Sequence, residues 1–128
     1  MSKFKLSNDA RGIIIPQVQL TGPKGSLLVN LILDTGAVYT MISRDIAVDL
    51  GYRLSRKRSI PIVTANGKIR VPLIMIRRIA VQTSVARNVP VICHNIHEMI
   101  EVSGLLGLSF LKFFRTTLDY RKLVLRID

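Results

Sequence analysis

The run Leu27-Leu28-Val29-Asn30-Leu31-Ile32-Leu33 ends abruptly in Asp34-Thr35-Gly36-Ala37, and the reading of this junction decides the fold. Seven residues, six of them apolar, suit a strand buried on both faces. The acid, hydroxyl and glycine that follow suit a tight turn, where Asp and Gly are favoured for local hydrogen bonding and backbone freedom. A strand of this kind delivers one carboxylate to the end of a sheet. Taken alone, Asp-Thr-Gly is a common turn, so its surroundings carry the weight.

Upstream, Ile13-Ile14-Ile15-Pro16-Gln17-Val18-Gln19-Leu20 has the β-branched content and alternation of a strand, and Thr21-Gly22-Pro23-Lys24-Gly25 is a turn cluster. A hairpin therefore feeds Asp34. Downstream, Tyr39-Thr40-Met41-Ile42 is a short apolar piece. Ser43 offers an N-cap, Ile46, Ala47 and Leu50 share one helical face, and Gly51 suits a C′ glycine, so a short helix is expected over 44–50. A basic connector, Tyr52 to Arg58, comes next.

Ile60 to Ala65 and Lys68 to Ile76 flank Asn66-Gly67, the dipeptide most suited to a type I′ hairpin turn. Pro61 and Pro72 cannot donate to a ladder, which predicts strands on an edge or standing clear of the main sheet. A projecting hairpin of this sort suits a lid. Arg77-Arg78 is expected to open a further strand, Ile79 to Thr83, with Asn88 to Cys93 as its return partner, and His94 to Ser103 reads as a loop. Leu105-Leu106-Gly107 reads as a strand end followed by a helix from about Ser109, and 116–127 as a closing hairpin that turns near Tyr120-Arg121-Lys122. The class is mainly β, with two short helices.

With 128 residues, one compact domain over 11–128 is expected, with residues 1–10 as a flexible N-terminus. No apolar run approaches the roughly 20 residues that cross a bilayer, and no signal sequence is evident, so no membrane partner and a cytoplasmic location are expected. Cys93 is the single cysteine, which excludes an internal disulfide and favours a small buried thiol over a nucleophile. Cys93, His94 and His97 lack a second cluster with ligand spacing, so neither a metal nor another cofactor is expected. The formal charge of +11 implies attraction to polyanions. Nucleic-acid binding through the Arg53, Arg56, Lys57, Arg58 face is not favoured, because no recognised motif or aromatic platform accompanies the charge. Asp119 beside its turn reads as a local hydrogen-bonding residue.

The order strand, Asp34-Thr35-Gly36-Ala37, projecting hairpin, Leu105-Leu106-Gly107 and helix resembles the retropepsin-like aspartic proteases, single-lobe relatives of pepsin, over nearly the whole chain. The resemblance implies a closed, barrel-like β fold that works as a homodimer. It makes Asp34 the catalytic aspartate, Thr35 a hydroxyl that braces the active-site loop against its partner, and Gly36 a backbone contact to substrate. Ala37, Thr64, Ala65, Asn66 and Gly67 become substrate-binding residues, the last four in a flap over bound peptide. The closing strand, Leu123 to Ile127, falls where such chains often build dimer contacts. Viral members often carry an acid after Asp-Thr-Gly-Ala and an arginine after the later glycine. Here Val38 and Leu108 replace both, a coherent joint change that strands no charge and looks like a cellular, bacterial-type member.

The implied activity is peptide-bond hydrolysis. Water activation without a covalent intermediate needs an acid and a base together, and two carboxylates about 3 Å apart share one proton and supply both. One Asp-Thr-Gly per chain then calls for a twofold axis through Asp34. The alternative is a catalytically silent member of the same fold, serving as a dimerisation module or binding nucleic acid or an acidic partner.

Overall fold

The computed structural model describes residues 2–9, 12–95 and 102–128. Eleven strands and two short helices follow in chain order among these residues: β1 Ser2–Lys5, β2 Ser7–Asp9, β3 Gly12–Gly22, β4 Gly25–Leu33, β5 Thr40–Ile42, α1 Arg44–Asp49, β6 Ser59–Thr64, β7 Gly67–Val81, β8 Ser84–Cys93, β9 Gly104–Leu106, α2 Leu108–Leu111, β10 Thr116–Asp119 and β11 Val124–Ile127. The large sheet has the order β2-β3-β4-β9-β5-β8-β7-β6, and β3 also pairs with β7, so the strands from β3 to β7 close on themselves. A barrel-like core results, filled by Leu20, Leu31, Ile42, Ile76, Ile79, Leu106 and Phe110, all fully buried.

The expected first hairpin forms, with register pairs from Ile14↔Ile32 to Gly22↔Gly25. Its one irregularity lies between Ile15 and Val18, where Pro16 has no N–H and Gln17 takes φ 54°. The Gln17 N–H is satisfied by Asn30 Oδ1 at 3.2 Å, which explains the lone polar residue in the apolar run. The α1 helix begins at the expected Ser43, whose Oγ accepts from the Ile46 N–H at 3.4 Å, and Gly51 follows its C-cap with φ 98°. The basic connector contains a 3-10 turn, Arg56–Arg58.

Two expectations are corrected. No new strand opens at Arg77-Arg78, because β7 runs unbroken from Gly67 to Val81 and turns at Gln82-Thr83 into Ser84–Cys93. The arginines do not interrupt it: Arg77 is exposed, and the Arg78 guanidinium donates to Gln19 Oε1 at 2.6 Å on the adjoining β3. Of the N-terminal segment expected to be flexible, the described residues 2–9 are tied to the fold. β1 pairs with β11, and the buried Ser2 Oγ donates to the Val81 carbonyl at 2.9 Å and accepts from the Ser84 N–H at 3.1 Å, at the β7–β8 turn. A serine that carries this network has no apolar signature, so composition alone hides it. The expected loop from His94 to Ser103 falls largely outside the described residues, His97 with it.

β7 changes partner at Pro72. Up to Pro72 it pairs with β6, and from Leu73 it pairs with β8. The β6–β7 hairpin thus extends past the body of the sheet, and Pro61 lies on edge strand β6, as its missing donor requires. In the smaller sheet, β11 lies between β1 and β10 and is paired on both sides. Asp119 closes the final turn, its Oδ1 accepting from the N–H groups of Arg121 and Lys122 at 3.0 Å each.

Candidate active site

Asp34 stands one residue beyond β4, and its position is fixed by β9. Leu33 pairs in parallel with Leu106, and the Asp34 N–H donates to the Leu106 carbonyl at 3.0 Å. Asp34 Oδ1 accepts from the Gly36 N–H at 3.0 Å, and the Ala37 N–H donates to the Asp34 carbonyl at 3.3 Å. The turn is thus an Asx-type turn, as its residues suggest. The carboxylate is half-buried, and its second oxygen has no hydrogen bond among the described residues. Thr35 and Gly36 are exposed, and the Thr35 hydroxyl likewise has no partner there.

A second layer holds this turn from below. The Leu108 N–H donates to the Ala37 carbonyl at 2.8 Å, which ties the first residue of α2 to the end of the Asp34 turn. The Gly107 N–H donates to Thr40 Oγ1 at 3.0 Å, and the Thr40 N–H donates to Ser109 Oγ at 2.8 Å; both hydroxyls are buried. Gly107 has no alternative. A Cβ there would lie 2.7 Å from the Tyr39 carbonyl oxygen and 2.8 Å from that of Ala37, both backbone atoms. The expected support by Leu105-Leu106-Gly107 therefore has an atomic basis: Leu106 anchors Asp34 and Gly107 permits the close approach. Thr40 and Ser109 escape a sequence reading, although a lone hydroxyl inside Tyr39-Thr40-Met41-Ile42 is a signal for a buried polar contact.

Beside the turn lies a cavity of about 410 Å³ lined by Ala37, Val38, Tyr39, Met41, Ile62, Val63, Ile92 and Leu105. It joins the Asp34 loop to strand β6 of the projecting hairpin. Of the residues singled out from sequence, Ala37 lines it, whereas Thr64, Ala65, Asn66 and Gly67 form the hairpin tip and do not. The tip is organised locally: Thr64 Oγ1 accepts from the Asn66 N–H at 3.3 Å and donates to the Gly67 carbonyl at 2.9 Å. The remaining lining residues are apolar or aromatic and read from sequence as ordinary strand residues. Nothing local separates a strand residue facing a cleft from one facing the core.

Val38 and Leu108 are 67% and 39% exposed, so apolar side chains meet solvent where a charged pair would otherwise stand. Val63 in the cavity wall is 78% exposed. Cys93, by contrast, is fully buried, and that burial pushes its thiol up to about 12, with Arg44 nearby pulling slightly the other way. It is packed as a small hydrophobe and is not a thiolate at neutral pH. No cluster of His, Cys, Asp and Glu suited to a metal occurs among the described residues, and no helix there is long and apolar enough to cross a membrane.

Comparison with known proteins identifies the family and the fold. Residues 24–113 match the family model described as "gag-polyprotein putative aspartyl protease". The fold is similar to the crystal structure of a retropepsin-like aspartic protease from Rickettsia conorii, with a TM-score of 0.68, 20% sequence identity and 98% of each chain covered. No curated protein matches in sequence. The family match spans most of the chain and contains both the Asp34 turn and its Leu105-Leu106-Gly107 support, so the chain belongs to the gag-polyprotein aspartyl protease family and has the retropepsin-like fold.

Proposed function

We propose that the protein is an aspartic endopeptidase, active as a homodimer, in which the Asp34 carboxylates of two chains activate one water molecule. The observation that carries this reading is the braced half-site. One carboxylate is held at a strand end by Leu106 and Gly36, with its second oxygen free of partners among the described residues. One such group cannot act as acid and base in the same step, whereas two sharing a proton can. A twofold axis through the turn supplies the second from an identical surface.

Local features support the same arrangement. The Thr35 hydroxyl, unpaired within the described chain, is free to brace the partner's loop. Gly36 leaves its face open: a Cβ there would meet only Asp34 Oδ1, at 3.5 Å, so the space above it is available to a substrate backbone. Exposed Val38, Leu108 and Val63 form an apolar rim that a partner chain or peptide would cover. The adjoining cavity would receive an apolar side chain of the peptide, with the Thr64 to Gly67 tip lying over the backbone. β11 is paired on both sides, so a strand contact between copies would use the outer edge of β1 or β10.

The test is Asp34→Asn. The amide oxygen can still accept from the Gly36 N–H, so the fold should persist while peptide cleavage falls by about 10³-fold or more. Cleavage per chain should also fall on dilution as dimers dissociate. Full activity in Asp34→Asn would refute the mechanism, and a per-chain rate independent of concentration would refute the shared site.

A further inference from the structure

A second cavity, about 540 Å³, is lined by Arg44, Leu54, Ser55, Arg56, Ser59, Ile69, Arg70 and Pro72. It lies between the start of α1, the connector that follows α1, and the base of the β6–β7 hairpin. Among the described residues it shares no lining residue with the cleft beside Asp34. Arg44, Arg56 and Arg70 line it, and among the described residues no carboxylate does. None of the three arginines has an ion-pair partner among the described residues. Unpaired surface arginines are ordinary on a chain of this charge. Three gathered around one concavity, without a counter-charge among the described residues, are a donor set suited to an anion.

The hydrogen bonds make the site more specific. Arg70 is already oriented: its Nε donates to Ser59 Oγ at 3.0 Å and one terminal nitrogen donates to the Ser59 carbonyl at 2.8 Å. Ser59 in turn donates to the Arg56 carbonyl at 2.7 Å, so hairpin base and connector are locked together. The guanidinium has five N–H donors in all, so those not bound to Ser59 remain for a ligand. Ser55 Oγ accepts from the Lys57 N–H at 3.1 Å, and its own proton has no partner among the described residues. The functional groups left over are therefore donors. Their chemistry selects oxyanions, and the planar forks of arginine match phosphate oxygens two at a time.

Charge and size narrow the class further. Three positive groups exceed what a single carboxylate balances, and the volume exceeds that of one phosphate ion. Leu54, Ile69 and Pro72 add an apolar wall. We propose that the Arg44, Arg56, Arg70 cavity binds a small anion with two or more phosphoryl groups, at a site separate from the Asp34 cleft.

The test is calorimetric titration of the full chain with ATP and, separately, with inorganic tripolyphosphate, at fixed ionic strength of about 0.15 M. Saturable binding of one anion per chain is expected. Each of Arg44→Gln, Arg56→Gln and Arg70→Gln should weaken it by about 10-fold, the loss of one charge-assisted contact. The control is Arg121→Gln with Lys122→Gln at the far β10–β11 turn, which removes more charge and should change affinity by no more than about 2-fold. Arg56 makes no side-chain hydrogen bond among the described residues, so Arg56→Gln tests the site even where loss of the Ser59 contacts disturbs Arg70→Gln. Tighter binding of ATP than of tripolyphosphate assigns the apolar wall to an organic body, and equal binding assigns the site to phosphate alone; both uphold it. No saturable binding at millimolar anion, or equal losses in control and cavity variants, overturns it.

Discussion

The Asp34 turn and the Asn66-Gly67 tip are both short turns after strands, and both carry a glycine, yet the molecule treats them differently. The first is fixed from outside itself. Its backbone is tied to Leu106, its last residue to Leu108, and the glycine beneath it is held by Thr40. The tip is fixed from inside: its side-chain bonds run from Thr64 to Asn66 and Gly67, and its strands pair with each other. A Cβ on Gly107 would collide with backbone, whereas one on Gly67 would meet nothing within 4 Å. A catalytic group needs an over-determined position, and a cover over a cleft needs freedom to move. With Asp34 as the catalytic group and the tip as a cover, as proposed, the two turns divide along that line.

The contrast can be broken most forcefully at Gly107. Gly107→Ala should cost about 2–4 kcal/mol, since the added methyl has only carbonyl oxygens to displace, and activity should fall with it as the Asp34 turn shifts. A denaturant midpoint unchanged from the parent would show that this layer yields after all. At Cys93, buried in the main core, a smaller and pH-dependent effect is expected. Its thiol is raised from 9.0 to about 12 in the fold, so between those values the unfolded chain has lost a proton that the native chain keeps. Stability from this group is complete below pH 9 and declines as pH rises toward 12. By pH 10 the loss is on the order of 1 kcal/mol, and the gap in unfolding free energy between parent and Cys93→Ala should shrink by that amount relative to pH 7. A gap that stays constant would mean the thiol is not sealed from water.

The smallest stability change is expected at the tip. Gly67 takes φ 109°, so Gly67→Ala should cost about 1 kcal/mol in local strain and little elsewhere. Its mark should be kinetic, with KM for a peptide raised more than the melting temperature is lowered. A melting loss as large as that of Gly107→Ala would erase the distinction between braced turn and free hairpin.

The hairpin was legible from Asn-Gly between two strands, but its turn was not: the pair Thr64↔Gly67 puts Ala65-Asn66 at the centre, and Asn66 lacks the positive φ that the expected type I′ turn requires. The α1 helix was legible too, its Ser43 cap and Gly51 stop being local chemistry. What escaped were contacts between distant segments. Ser2 meets the β7–β8 turn across the whole chain, Thr40 meets Gly107 and Ser109, and Arg78 meets Gln19. Arg77-Arg78 misled because two charges in a row suggest a break, when one is solvated and the other bonded.

By itself, the sequence determined the strand content and the turn chemistry at Asp34, which rest on residues within a few positions of one another, and the likeness to retropepsin-like proteases, which rests on the order of such local motifs along the chain. Tertiary structure alone decided which glycine admits no side chain, which hydroxyls hold the Asp34 turn, and which arginines share a cavity. Those depend on how a closed sheet brings separate strands to within a few ångströms, and periodicity along one strand carries no record of its neighbours.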